Sequence, residues 1–215
     1  HLGKCSGELQ DKFLLEEDDI LISHFVGLAV KPKCKKHILS CHETNMFPLK
    51  DISLEIYDIV QFVSDFQRDW HGVEVFSVVI PPIVAKVNWV NPNNKIAGVI
   101  GSIDSHKQVH KSIQRALDDG YKKVILFGDI SDIHYFDKYV SEYNTKGQVV
   151  LAGHEDDREA MYGKISEVYH SSIRETYGLV EAECRLSGIP FNGPSNNQDI
   201  LEKEEILKRW NNILK

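Results

Sequence analysis

Short runs of β-branched and aliphatic residues alternate along this 215-residue chain with longer segments whose apolar residues recur at helical spacing. That alternation leaves few folds open. Nearly continuous apolar runs suit strands covered on both faces, and such strands belong to parallel sheets flanked by crossover helices. Nine runs fit: 19–25 ("DILISHF"), 36–42, 58–63, 76–82, 94–101, 122–129, 147–153, 165–171 and 188–193. Between them, 105–120 reads as a helix with Val109, Ile113, Ala116 and Leu117 on one stripe and Gly120 as its stop. Shorter helices are expected over 132–143 and 155–165, and the tail "KEEILKRWNNILK" is amphipathic through Ile206, Trp210 and Leu214. The fold class is α/β.

Three prolines and a run of asparagines break the rhythm over 80–95 ("IPPIVAKVNWVNPNNK"), a composition that favours turn and extended backbone. The segment reads as a linker between a short first α/β block, 1–85, and a second that forms a complete α/β unit, 86–215. A net charge of −7 argues against a nucleic-acid partner, because phosphate contacts need a basic surface. Cys5, Cys34, Cys41 and Cys184 form no C-x-x-C pair, so neither a zinc site nor a disulfide framework is expected. With no N-x-[ST] sequon, a reduced cytoplasmic setting fits. No run reaches the ~20 apolar residues of a membrane span, and the N-terminus lacks a signal peptide's apolar region. The chain begins at His1 rather than at a methionine, as a tag remnant or a piece of a longer precursor would.

Two stretches carry candidate chemistry. In "VIGSIDSHKQVHKSI" a strand ends at Gly101 and Lys107 stands at the start of a helix. Unpaired N–H groups and the helix dipole there would favour an anion. In "HSSIRETYGLVEAECRLSGIP" a helix beginning near Tyr177 or Gly178 would leave the Gly178 and Leu179 amides for a phosphate, with Glu175 in the loop before it and Glu183 inside the helix. That spacing sets two carboxylates at opposite ends of a nucleotide-sized ligand. In the plainer reading Glu175 caps the helix, Glu183 is a solvated helix residue and Lys107 is a solvated first-turn lysine. The histidines His24, His110, His134 and His170 form no H-x-x-x-H or H-E-x-x-H pattern, so no metal site is expected.

The motifs together resemble a known family. "ETYGLVEAE" followed by "SGIP" is similar to the E-x7-E signature of retaining GT-B glycosyltransferases of the family-4 type. In the same order, "AGVIGSIDSHK" resembles that family's G-R-x-x-x-x-K loop, "VILFGD" its next strand and "VVLAGHEDDREAMYGKISEVYHSSIRE" the run into the first glutamate. The likeness is close over 94–197. Upstream, "KHILSCHE" is similar to the strand ending in a histidine beside the donor sugar, "DIVQFVSDFQRDW" to a strand-serine-helix segment, and "FSVVIPPIV" to the strand entering the interdomain linker.

The resemblance implies a GT-B fold of two facing Rossmann-like domains, the first truncated and acceptor-binding, the second binding the donor. It implies sugar transfer from a nucleotide-diphosphate sugar (a UDP- or GDP-sugar) with retention at the anomeric carbon, and no metal or other cofactor. By the same resemblance, Glu175 contacts the sugar hydroxyls and His42 reaches the sugar from the other domain. Lys107 with the Gly178 and Leu179 amides, in the loop opened by Gly101 and Ser102, holds the diphosphate, and Glu183 accepts from the ribose. The acceptor is an unidentified glycan, lipid or protein, and a partner chain is a candidate for completing the acceptor side. Two departures matter: the opening of the first domain is missing, and Ser102 stands where the family has an arginine, with His106, Lys111 or Arg174 as possible replacements. These departures keep two rivals in view, a nucleotide-sugar binding module that has lost catalysis and a sugar-nucleotide epimerase of GT-B architecture.

Overall fold

A computed structural model describes residues 15–24, 31–42, 54–73, 76–195 and 198–215. Each of the nine expected strands forms: β1 (Ile20–His24), β2 (Lys36–Cys41), β3 (Ile59–Phe62), β4 (Ser77–Val79), β5 (Ile96–Ile100), β6 (Lys123–Phe127), β7 (Val149–Gly153), β8 (Glu167–Tyr169) and β9 (Phe191–Asn192). Cys5 lies outside the described residues, and Cys34, Cys41 and Cys184 are free thiols. The chain divides into two compact units, one of His1–Ile83 with Leu201–Lys215 and one of Val84–Ile200.

The first unit is a four-stranded parallel sheet in the order β1-β2-β3-β4. Leu39, Tyr57, Val60, Phe62 and Val73 form its apolar core. Ser64 starts α1 (Asp65–His71) by accepting from the Gln67 amide, and Gly72 ends it in the left-handed conformation. The tail helix α7 (Lys203–Ile213), read from sequence with the second block, groups with this unit. Ile206 is buried, Arg209 donates to the Val79 carbonyl, and Lys36 donates to the Ile213 carbonyl. An amphipathic pattern shows that a helix needs a partner and leaves open which sheet supplies it.

The second unit is a five-stranded parallel sheet in the order β7-β6-β5-β8-β9. From β5 the chain works outward through α2 (Val109–Asp118) to β6 and β7, then crosses back to β8 on the other side of β5 and continues through α6 (Leu179–Ser187) to β9. Successive connections therefore diverge between β5 and β8, where ligands of open α/β sheets gather beyond the strands' carboxyl ends. Val109, Ile113 and Ala116 bury the α2 stripe as its spacing predicts. Gly98 sits under Ile165, whose Cδ1 would lie 2.3 Å from a Cβ there.

Two expectations change in detail. The helix expected over 132–143 is two helices, α3 (Ile133–Tyr139) and α4 (Ser141–Thr145), hinged at the fully buried Val140. The 80–95 segment forms no helix or strand, but from Val84 onward it belongs to the second unit. Val87 is buried and its amide donates to Ser187 Oγ, and the Trp89 indole donates to the Tyr162 and Ile165 carbonyls. Prolines and asparagines exclude regular elements, yet leave a tryptophan and a valine free to dock.

Candidate active site

Lys107 and Glu175 meet across the β5–β8 divergence. The loop after β5 turns at Gly101 (φ 131) and is held by Asp104, whose Oδ2 accepts from Ser102 Oγ at 2.5 Å and whose Oδ1 accepts from the Lys107 amide at 2.8 Å. The Lys107 stem lies over Gly101. Gln108 is left-handed (φ 48), and α2 begins directly after it. Lys107 therefore stands in the turn before the helix rather than within it.

From the loop after β8, Glu175 presents Oε1 to two donors, Lys107 Nζ at 2.5 Å and His170 Nε2 at 3.0 Å. An ionised carboxylate only accepts, so His170 Nε2 carries a hydrogen in this contact. The two loops are also tied by their backbones: the Ile173 amide donates to the His106 carbonyl, and His106 Nε2 donates to the Arg174 carbonyl at 2.8 Å. Burial by itself would raise the Glu175 carboxyl. The His170 hydrogen bond, the Lys107 charge and hydrogen bond, and a bond from Ser172 outweigh it and hold the group down to about 2, against an ordinary 4.5. Glu175 is thus an anion throughout the neutral range.

Past Glu175 the chain enters α6 through Gly178, a left-handed N-cap (φ 80) that makes no side-chain capping bond. The φ explains the glycine at this position. Glu175 does not cap this helix, which removes one plain reading of it. Glu183, expected in the solvated alternative to face water, is buried within α6. Its Oε1 lies 3.0 Å from Arg158 Nε of α5 (Arg158–Tyr162), and its Oε2 accepts from the Tyr162 hydroxyl at 2.8 Å. Burial, with Cys184 and Glu183 nearby, pushes the Tyr162 phenol upward.

No family model matches the sequence, and no curated protein matches it. Solved structures do match. Staphylococcus aureus TarM superimposes with a TM-score of 0.62 at 18% identity, covering 97% of this chain and 50% of that one. The pneumococcal O-GlcNAc transferase GtfA, solved with UDP and GlcNAc, gives 0.63 at 12% identity, covering 97% and 51%. HepE of Anabaena, solved with UDP and glucose, gives 0.58 at 17%, covering 74% and 52%. This chain has the GT-B fold of glycosyltransferases. It spans about half the length of the structures it matches.

Within the GT-B fold, the second unit brings together Gly101, Ser102, Lys107 and Glu175 around the strand ends, followed by Gly178 and Leu179 at the start of α6, with Glu183 one turn further on. His42 belongs to the first unit, directly after β2. It is exposed, 3.0 Å from Ser40 Oγ through Nε2, with its ring 5.3 Å from that of His24. Of the candidates for the cation absent at Ser102, His106 is bonded to the Arg174 carbonyl and Lys111 is exposed on α2. Sequence reasoning missed His170, Ser172, Arg158 and Tyr162 as partners of the two glutamates. A histidine five residues before a glutamate in a loop has no periodic signature, and Arg158 meets Glu183 only through tertiary packing. Among the described residues, no group of three His, Cys, Asp or Glu is placed to hold a metal ion, and no helix is long and apolar enough to cross a membrane.

Proposed function

We propose that this chain carries the donor site of a glycosyltransferase that moves a sugar from a nucleotide-diphosphate sugar with retention at the anomeric carbon. The observation that carries the reading is the Lys107–Glu175 pair at the β5–β8 divergence, directly before the glycine-opened start of α6. A cation and a helix N-terminus side by side suit a diphosphate. The E-x7-E resemblance and the UDP bound in the GtfA and HepE structures make UDP-sugars the first donors to test and GDP-sugars the second.

In this reading Lys107 and the Gly178 and Leu179 amides hold the diphosphate in the loop opened by Gly101 and Ser102, and Glu183 accepts from the ribose. As the bond from the anomeric carbon to the phosphate oxygen breaks, the electron pair leaves with the nucleoside diphosphate, and Lys107 and the positive end of α6 stabilise that charge. The acceptor hydroxyl forms the new bond on the same face and passes its proton to the departing phosphate oxygen. Glu175, anionic at neutral pH, accepts from the sugar hydroxyls and favours the positive charge that develops on the ring. His42 is the further residue proposed to serve the sugar, and the acceptor is a glycan, lipid or protein. Calorimetry with UDP and GDP, followed by donor hydrolysis and transfer by wild type and Glu175→Gln, tests the reading. Absence of binding to either nucleotide overturns it.

One observation favours a second reading, a binding module without turnover. Ser102 brings no charge to the loop, and its hydroxyl is spent on Asp104, a carboxylate. Donor binding with neither hydrolysis nor transfer would select that reading.

A further inference from the structure

We infer that His170 is a positioning residue, which anchors the Glu175 carboxylate while Lys107 is drawn to the phosphates of a bound donor. The inference rests on the glycosyltransferase reading for the role of Glu175, but the contacts that motivate it do not. Both donors converge on one oxygen, Glu175 Oε1. Under the proposed function Lys107 has two anionic claimants, Glu175 in the empty site and the diphosphate in the filled one. A lysine is a single point charge on a flexible stem and shifts readily between such partners. Glu175 has a side chain only 20% exposed, and burying an ionised carboxylate is costly without donors, so whatever remains on it after Lys107 turns decides where it sits.

His170 is built to stay. Its side chain is 8% exposed. Its amide donates to the Asn192 carbonyl of β9, and its own carbonyl accepts from Arg115 of α2. Gly193 packs so closely that a Cβ there would lie 2.9 Å from both the His170 Cβ and carbonyl oxygen. The groups that hold Glu175 ionised are Lys107 from the loop after β5 and His170 and Ser172 from its own loop. Of these, His170 is the one whose backbone is anchored to both β9 and α2. Its N–H therefore fixes the carboxylate against the sugar in the step where Lys107 is occupied elsewhere.

The test uses the full chain with His170→Leu, which removes the N–H, and His170→Gln, which returns an N–H at a similar reach. Thermal melts first establish that both fold. Glu175 is then followed by carboxyl 13C NMR across an acid titration, with and without UDP. The expected result is a higher Glu175 midpoint in His170→Leu, a larger rise when UDP is bound, and restoration in His170→Gln. With an active donor, His170→Leu should lower kcat by roughly 10- to 100-fold, as misplacing a reacting group does, with KM and UDP affinity little changed. An unchanged Glu175 titration in His170→Leu overturns the inference, and so does equal loss of kcat in the leucine and glutamine variants. Failure of the wild type to bind any nucleotide sinks the glycosyltransferase reading separately, because the titration in the absence of UDP reports on His170 and Glu175 regardless.

Discussion

Arg158 and Glu183 form an ion pair between α5 and α6, with Nε 3.0 Å from Oε1, and the Tyr162 hydroxyl takes the other carboxylate oxygen. Under the proposed function, a ribose approaching Glu183 would meet a carboxylate already engaged on both sides, and binding would be an exchange of partners in which Arg158, about half exposed, swings aside.

Glu183→Ala is therefore expected to affect both folding and binding. It takes the carboxylate acceptor from the buried Tyr162 hydroxyl, leaving it only the weaker Cys184 thiol contact, at a cost of about 1–3 kcal/mol in stability. Glu183→Gln keeps the volume and an acceptor for Tyr162 while removing the charge. It should melt near wild type yet bind UDP more weakly. Parallel melts and calorimetry separate the effects, and unchanged UDP affinity in the glutamine variant would leave Glu183 a purely structural residue.

Lys107→Ala should weaken UDP far more than uridine, because its charge acts on phosphate. Loss of a charged hydrogen bond corresponds to about 1.5–3 kcal/mol, or roughly 10- to 100-fold in Kd. With serine at position 102, little cationic support remains in that loop. Equal weakening of both ligands would move Lys107 out of the phosphate role.

Glu175 should make the fold acid-sensitive. Its carboxyl lies lower in the folded chain, about 2, than the ordinary 4.5. The contribution is fully present above pH 4.5 and is lost as the pH falls toward 2, since protonation then costs the folded state more than the unfolded one. Its size is on the order of 3 kcal/mol at neutral pH. Denaturant unfolding of wild type and Glu175→Gln at pH 7 and pH 3 should show a difference that shrinks in acid. The same variant should lose turnover while keeping nucleotide affinity, as a group acting mainly on the transition state would.

Gly128→Ala should disrupt the donor loop from outside it. Gly128 follows β6 at φ 146, and a Cβ there would lie 2.1 Å from the Gly101 carbonyl oxygen. Backbone strain and the clash together should cost about 1–3 kcal/mol or more. Melting temperature and UDP affinity are expected to fall together, and a variant with normal values for both would contradict the close packing of these two turns.

The fold was legible because parallel strands and their helices leave strong periodic marks. Nearly continuous runs such as "KVILF" become central strands, and the Val109–Ile113–Ala116 stripe becomes the buried face of α2. The local turns of the candidate site were legible where glycine and charge stand at loop-to-helix junctions, as at Gly101, Lys107 and Gly178. Its wiring was not, because His170 reaches Glu175 by the shape of one loop and Arg158 reaches Glu183 through the packing of α5 on α6. The break at Val140 was hidden for a related reason. A buried valine reads as one more apolar residue on the stripe of a single helix, and only its packed surroundings make it a corner.

The path of the chain also sets an order of events. Leu201–Lys215 belongs to the same unit as the strands that end at Val79, while all of Val84–Ile200 is made in between. All five strands of the second unit are therefore made before α7. The first unit keeps the place of Ile206 unfilled until α7 is made. Synthesis thus completes the inserted unit before the one that began earlier.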